Sequence, residues 1–146
     1  MDVKCLEFER AFSIAQGRRY SVLFNSGGSA NLALLQSMKN MDVLAEGARV
    51  GFSALTWSTN VMPIIQMGMV PVPVDCSPTH LNVTSQTPEA RLPATDLRCF
   101  FITNALGLTG DLDVIREICR ERDILLLEDN REALGTVLKS ERAGNI

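Results

Sequence analysis

A glycine-rich segment follows the first short apolar run of the sequence. Residues 25–31 read NSGGSAN, and ALLQSMK shortly after can continue as a helix. Glycines at such a point let backbone N–H groups approach an anion at the helix N-terminus, and a phosphate group is the expected ligand. The alternative is a tight turn that needs glycine for its dihedral angles. The spacing matches neither GxxxxGK[ST] nor GxGxxG, which disfavours a nucleoside triphosphate or a dinucleotide.

The only tryptophan of the chain, Trp57, lies in the polar segment SALTWSTN, which follows the apolar run at residues 49–52. Its ring could cover the face of a planar ligand there. Packing in the core is the more common use of a tryptophan, so the residue by itself does not decide between the two roles.

Acidic residues follow the run ILLL near the end of the chain, and two of them, Asp129 and Glu132, could bind a ligand. Asp129 comes almost directly after four apolar residues, where a carboxylate needs a compensating partner. A protonated pyridine nitrogen would be such a partner, because a retained Asp anion keeps the ring protonated and electron-withdrawing. Glu132 could face the same cavity. The alternatives are a helix N-cap at Asp129 and, for Glu132, a capping-box partner or a solvated surface acid.

Other polar residues are weaker candidates for a functional site. His80 has no Cys, Asp or Ser constellation that would make it a base, and a loop histidine in solvent is the better interpretation. Asn104 could bind a ligand hydroxyl, although asparagines are common in turns for backbone reasons. The sequence contains no cluster of metal ligands.

Hydrophobic periodicity predicts the elements that must position these residues. Several short apolar strands joined through helices imply βαβ crossovers, hence an α/β fold of three layers, α-β-α, with a mainly parallel sheet. Ligands of such sheets bind beyond the carboxyl ends of the strands. The prolines of VPVPV restrict that strand to an edge, and a short helical turn is predicted at TPEARL. The predicted strands are 20–24, 49–52, 70–74, 99–102 and 124–127. Helices are predicted at 4–16, after Asn31, up to Gly68 with Ser58 or Thr59 as the N-cap, and from Leu112 to Arg122.

Size and composition predict one domain over residues 1–146. The chain has 146 residues, of which 46% are hydrophobic, and a formal net charge of −3 without a basic stripe, so nucleic acid is not an expected partner. The four cysteines are widely spaced, which is typical of reduced thiols in a cytoplasmic protein. Neither a signal peptide nor a membrane-spanning segment is predicted.

Three segments resemble the DegT/DnrJ/StrS family of sugar aminotransferases and the related keto-sugar 3-dehydratases. They are NSGGSANLALL, ALTWSTNVMPIIQMGMVPVPVDC and GDLDVIREICRERDILLLEDNREALG. The resemblance implies the large domain of a fold-type I enzyme that depends on pyridoxal 5'-phosphate or pyridoxamine 5'-phosphate. Gly28 and Ser29 would hold the phosphate, Trp57 would stack on the ring, and Asp129 would pair with the ring nitrogen. Glu132 is the fifth expected cofactor-binding residue, and an acid there resembles the dehydratase branch.

The resemblance also implies a substrate and partners. The family acts on nucleotide-linked keto sugars in cell-surface polysaccharide or deoxysugar biosynthesis, an amino donor such as glutamate loads the cofactor, and a homodimer is expected. The Schiff-base lysine of the family, or the histidine that replaces it in the dehydratases, lies beyond Ile146, as does the small C-terminal domain. We therefore assign no catalytic residue, and we expect the sheet to lack partners for its first strand. An unpaired apolar strand predicts a marginal or self-associating chain.

Two alternatives from other classes remain at this point. The chain could be a non-catalytic product of a truncated gene, which would bind no cofactor. It could also be a flavodoxin-like or Rossmann-type nucleotide binder, although its glycine segment lacks the dinucleotide spacing.

Overall fold

The computed structural model describes residues 3–86 and 96–145. The helical turn predicted at TPEARL lies outside these ranges. A turn of 3-10 helix lies at Ala105–Gly107, and Val137–Leu138 pairs with Glu141–Arg142 in a two-stranded antiparallel hairpin. The elements in chain order are α1 (Val3–Gln16), α2 (Gly27–Asn40), β1 (Arg49–Ser53), α3 (Ser58–Gln66), β2 (Val70–Val74), β3 (Leu97–Thr103), α4 (Leu112–Glu121), β4 (Leu125–Asp129), β5 (Val137–Leu138) and β6 (Glu141–Arg142).

The main sheet has four parallel strands in the order β2-β1-β3-β4. Parallel neighbours need a crossover, and α3 and α4 supply the crossovers from β1 to β2 and from β3 to β4. This arrangement confirms the predicted parallel α/β sheet. It also brings the carboxyl ends of β1, β3 and β4 to one edge.

The central strand β3 is the core of the domain because it is buried on both faces. Phe100 and Phe101 are each at most 1% exposed and, as neighbours in a strand, point to opposite sides of the sheet. The two faces pack in separate clusters, which confirms the three-layer prediction. One cluster joins Phe100 to Leu112, Ile115 and Cys119 of α4, and the other joins Phe101 to Leu35 of α2 and Ile64 of α3.

The proline-containing strand β2 lies at an edge of the sheet, as predicted. Val70 N donates to Ala48 O at 2.9 Å, and Val74 O accepts from Ala54 N at 2.8 Å. Alternate residues of a strand bond on the same side, so Pro71 and Pro73 lie with their nitrogens toward the open side. Neither proline removes a hydrogen bond from the sheet.

The prediction of a strand at residues 20–24 is wrong. This segment has no regular secondary structure, and Tyr20, Val22, Leu23 and Phe24 are between 40% and 72% exposed. A short apolar run becomes a strand only where a neighbouring backbone accepts and donates its hydrogen bonds, and none of the described strands pairs with this segment. Helix α1 forms as predicted, but its only buried residue is Ser13.

Strand β4 differs from its prediction in burial. The run ILLL is the clearest pattern of a buried strand in the sequence, yet every residue of β4 is only half-buried. The reason is its position, because β4 is the edge strand opposite β2 and, among the described residues, pairs with β3 alone.

The four cysteines are free thiols, and Cys99 and Cys119 are buried. Burial raises the pKa of Cys99 to about 12 and that of Cys119 to about 11 from a usual value of 9.0, since a thiolate is poorly solvated in an apolar core. None of the described helices is both long and apolar enough to span a bilayer.

We predict that iodoacetamide distinguishes these thiols in the native chain. Raising the pKa of Cys99 from 9.0 to about 12 lowers its thiolate fraction at pH 8 about a thousandfold, and burial adds a barrier to access. Cys5, which is partly exposed, should be alkylated first, and Cys99 and Cys119 only with denaturant. Mass spectrometry of tryptic peptides measures the order. Native labelling of Cys99 as fast as Cys5 would contradict the packing described here.

We also predict that the chain self-associates through the exposed apolar side chains of α1 and residues 20–24. Ile14 is 82% exposed and Val22 is 65% exposed, so Ile14→Lys and Val22→Lys should shift the chain toward the monomer. Neither should change the unfolding free energy by more than about 0.5 kcal/mol. Light scattering after size exclusion measures the mass.

Leu134→Lys is the matched control for this experiment, because Leu134 is 75% exposed in the turn after β4 and belongs to neither segment. A wild-type chain that stays monomeric at high concentration and unfolds in one sharp, reversible transition would contradict the prediction.

Candidate functional site

A cavity of about 420 Å³ opens at the edge of the sheet where β1, β3 and β4 end. Four of the five predicted cofactor-binding residues, Gly28, Trp57, Asp129 and Glu132, line it together. Residues far apart in the sequence therefore meet at one place because the strands are parallel. The other lining residues are Asn25, Ser26, Gly27, Asn31, Thr59, Thr103, Asn104, Ala105 and Arg131.

The start of α2 presents backbone donors to this cavity. Ser26 is the N-cap, its Oγ accepts from Ser29 N at 3.1 Å, and its carbonyl accepts the first helical bond from Ala30 N. The N–H groups of Gly27 and Gly28 precede that bond and have no acceptor within the helix. A Cβ on Gly27 would meet no described atom within 4 Å, so the helix start is open. The positive end of the helix dipole adds to these donors.

Ser29 is placed differently from the other predicted residues. Its hydroxyl accepts a hydrogen bond from Ser26 Oγ at 3.0 Å. Ser29 lines a neighbouring pocket between α2 and α3, with Met62 and Gln66, and Gly28 lines both this pocket and the cavity. The glycines belong to the first helical turn instead of preceding it, and this rotates Ser29 away from the cavity that Gly28 lines.

Trp57 is 42% exposed and is the N-cap residue of α3. The structure therefore does not use this ring for core packing. Its position also corrects the prediction that Ser58 or Thr59 caps the helix, since α3 begins at Ser58 and has no side-chain cap. Thr59 instead lines the cavity near the start of α2.

Asp129 is the last residue of β4, and each of its two carboxylate oxygens accepts a hydrogen bond. Oδ2 accepts from Asn60 Nδ2 at 2.8 Å, and Oδ1 accepts from Arg131 N at 3.0 Å. The second bond is an Asx turn, and residues 130–136 form turns instead of a helix. The alternatives of a helix N-cap at Asp129 and a capping box with Glu132 are therefore wrong.

Glu132 connects the two loops at the cavity mouth. Its Oε2 accepts from Leu106 N at 3.0 Å, which helps to hold Leu106 in a left-handed conformation with a φ of 55°. A side chain other than glycine adopts that conformation at a cost, so the carboxylate has a structural partner here. Arg131 adds a positive charge to the same rim.

Sequence reasoning missed Asn60, Asn31 and Thr103. Asn60 is fully buried and contacts Asp129, while Asn31 and Thr103 line the cavity and bond to Asn60. A signal was present in Pro63, which cannot donate to the carbonyl of Thr59 in α3. Asn31 Nδ2 makes that bond instead, at 3.2 Å.

The weaker candidates are engaged elsewhere. Asn104 lines the cavity, but its amide donates to Asn130 Oδ1 at 2.7 Å and its oxygen accepts from Asn82. His80 is exposed and lies within hydrogen-bond distance of the Ser77 and Thr79 hydroxyls. Within residues 3–86 and 96–145, no three His, Cys, Asp or Glu side chains are grouped in a way that could hold a metal ion.

Comparison with known proteins adds to this geometry. A GDP-4-keto-6-deoxy-D-mannose 3-dehydratase from Yersinia pseudotuberculosis is 30% identical over 140 residues, which are 94% of this chain and 35% of that protein. A dTDP-4-dehydro-2,6-dideoxy-D-glucose 3-dehydratase from Saccharopolyspora spinosa is 33% identical over 94% of this chain and 30% of its own length. The chain thus spans about a third of the relatives it matches.

A solved structure shares the whole described fold. The GDP-4-keto-6-deoxy-D-mannose-3-dehydratase of E. coli with bound hydrated PLP superposes with a TM-score of 0.90 at 30% identity, over 99% of this chain and 37% of that one. The chain therefore has the fold of part of a fold-type I enzyme. The model of one family, the DegT/DnrJ/EryC1/StrS aminotransferases, matches residues 3–146. A match over nearly the whole sequence leaves no doubt that the chain belongs to this family.

Proposed function

We propose that the chain forms the cofactor-binding part of an enzyme that uses pyridoxal or pyridoxamine phosphate and acts on a nucleotide-linked keto sugar. One observation carries the proposal. A single cavity combines the open N-terminus of α2 with the carboxylate of Asp129 and the exposed ring of Trp57. Family membership and the PLP-bound relative support the same cofactor.

The residues of the cavity fit this cofactor in charge and in shape. Its phosphate is an anion, which the N–H groups of Gly27 and Gly28 and the helix dipole would attract. Its ring nitrogen is a cation when protonated, and the Asp129 carboxylate is the complementary acceptor. Trp57 offers an aromatic surface for the ring face. A volume of about 420 Å³ is within the range of small-molecule sites.

The residues of this chain would bind the cofactor and orient its ring. Asp129 would accept the hydrogen bond of the ring N–H and keep that proton on the nitrogen, since separating it from the carboxylate would leave the anion uncompensated. The bound cofactor would supply an electron-withdrawing pyridinium ring that stabilises negative charge on a substrate carbon. Trp57 would exclude water from one ring face. Ser29, predicted at the phosphate, would act through Ser26, whose oxygen it contacts.

Two reactions are compatible with this site. The family name supports amino transfer to a keto sugar, with an amino donor that loads the cofactor. Two relatives named as 3-dehydratases, at 30% and 33% identity, support removal of a sugar hydroxyl instead. An acid at position 132 favours the second reaction by resemblance. The alternative from another class, a non-catalytic product, predicts no affinity for the cofactor.

We further propose a homodimer in the cytoplasm. The exposed apolar residues of α1 and 20–24 support an interface, and the four free cysteines support a reducing compartment.

We predict that pyridoxamine phosphate quenches the fluorescence of Trp57, the only tryptophan, in a saturable titration of the 146-residue chain. Stacking of the ring on the indole is the physical reason. Pyridoxamine, which lacks the phosphate, should bind at least about tenfold more weakly, because it cannot use the N–H groups of Gly27 and Gly28. Equal affinity for both compounds would contradict the phosphate site. No binding of either would support the non-catalytic alternative.

We predict that Asp129→Asn weakens pyridoxamine phosphate binding by about tenfold to a hundredfold, since the variant loses a hydrogen bond between charged groups. The same titration measures the effect. Asp123→Asn is the matched control, because Asp123 is exposed in the turn before β4 and its left-handed φ of 54° suits asparagine. An unchanged affinity in Asp129→Asn would exclude a bond to the ring nitrogen.

A further inference from the structure

Asn60 is a buried amide in direct contact with the candidate ring-nitrogen partner. Its side chain has no exposed surface, and its Nδ2 donates to Asp129 Oδ2 at 2.8 Å and to Thr103 Oγ1 at 2.9 Å. Its Oδ1 accepts from Asn31 Nδ2 at 3.1 Å. A flipped amide would place oxygen against the carboxylate and NH2 against NH2. The surroundings therefore fix which way the Asn60 amide points.

The two donors at Asp129 fix the plane of its carboxylate. Arg131 N holds Oδ1 at 3.0 Å and Asn60 Nδ2 holds Oδ2. The last torsion of an aspartate side chain is broad, so a carboxylate with one donor keeps rotational freedom. The Asx turn restrains only one oxygen. Asn60 is what restrains the other.

The same network reaches the start of α2. Asn31 lies in the second turn of α2 and donates both to Asn60 Oδ1 and to the Thr59 carbonyl that Pro63 leaves without a helical donor. On the other side, Thr103 Oγ1 lies 2.7 Å from Thr56 Oγ1. Four elements, α2, α3, β3 and β4, are thus connected through one amide. A buried polar network with its partners satisfied is rigid.

We propose that Asn60 is a positioning residue, which holds the Asp129 carboxylate in the orientation that receives the cofactor ring N–H and ties it to the helix that receives the phosphate. This inference rests on the proposed function and deepens it. The physical reason is that a carboxylate already fixed before binding loses less rotational freedom when the ring arrives. Asn60 itself does not line the cavity and acts on the cofactor ring through Asp129, while Asn31 holds the Asn60 amide in place.

The test uses Asn60→Ser, whose hydroxyl is too short to reach Asp129. We expect pyridoxamine phosphate to bind about tenfold more weakly than to the wild-type chain. Asn82→Ser is the matched control. Asn82 is also fully buried, but its Nδ2 donates to Asn104 Oδ1 at 3.0 Å and to Leu108 O at 2.6 Å instead of Asp129. Thermal unfolding of both variants shows whether their losses of stability are comparable.

A double-mutant cycle with Asp129→Asn distinguishes a positioning role of Asn60 from a merely structural one. If Asn60 acts through the carboxylate, Asn60→Ser in the Asp129→Asn background should lower affinity by less than about twofold further. Additive losses, or equal weakening by Asn82→Ser, would overturn the positioning role while leaving the cofactor site intact.

A second readout needs no cofactor. The 13Cγ resonance of Asp129 in the free chain should move in Asn60→Ser and stay in place in Asn82→Ser, because carboxyl shifts respond to hydrogen bonding. A resonance that does not move would overturn the inference. If the wild-type chain fails to bind pyridoxamine phosphate, the proposed function fails, and the resonance alone still decides whether Asn60 holds the carboxylate.

Discussion

The parallel pairing of β1, β3 and β4 is the constraint on which the rest of the structure depends. Because the three strands run in one direction, residues at or beyond their carboxyl ends reach the same edge, as Trp57, Asn104 and Asp129 do. The pairing is held by β3, whose Phe100 and Phe101 anchor a helical layer on each face. Hydrophobic burial in the middle of the sheet thus determines the position of polar groups at its end, although none of those groups contributes to the apolar core.

That polar edge is possible only because its buried groups are paired. Removing an amide or hydroxyl from water without a partner costs on the order of 1–3 kcal/mol. Thr103 N donates to Ser53 Oγ at 3.0 Å, the Thr103 and Thr56 hydroxyls are paired, and Asn60 is bonded at both ends of its amide. The edge can therefore be dry and ordered before any ligand arrives. A site of this kind is prepared by the fold and does not have to be assembled by its ligand.

The sequence predicted those features that follow from a local pattern combined with a general rule. Apolar runs indicated parallel strands, and the rule for strand ends then selected Trp57 and Asp129, while the prolines of β2 indicated an edge. Gly28 was selected by the same rule, although the strand expected before it does not form. The exposed segment 20–24 could not be predicted from its own residues, because pairing depends on a neighbour and not on the run itself. Asn60 was missed since a single asparagine in a helix gives no periodic signal. Ser29 was assigned with Gly28, yet a helical residue is rotated by about 100° from the one before it.

The two edges of the main sheet are chemically unequal. Along β2, Pro71 and Pro73 present no N–H toward the outside. Strand β4 has a complete set of backbone N–H groups and, within the part of the chain that the structure describes, is paired on one side only. A further strand, from whatever source, could therefore hydrogen-bond to the open side of β4 but only poorly to that of β2. Such a strand would lie beside β4, which ends at Asp129 in the cavity. Adding a strand to the sheet would therefore also change the wall of the cavity.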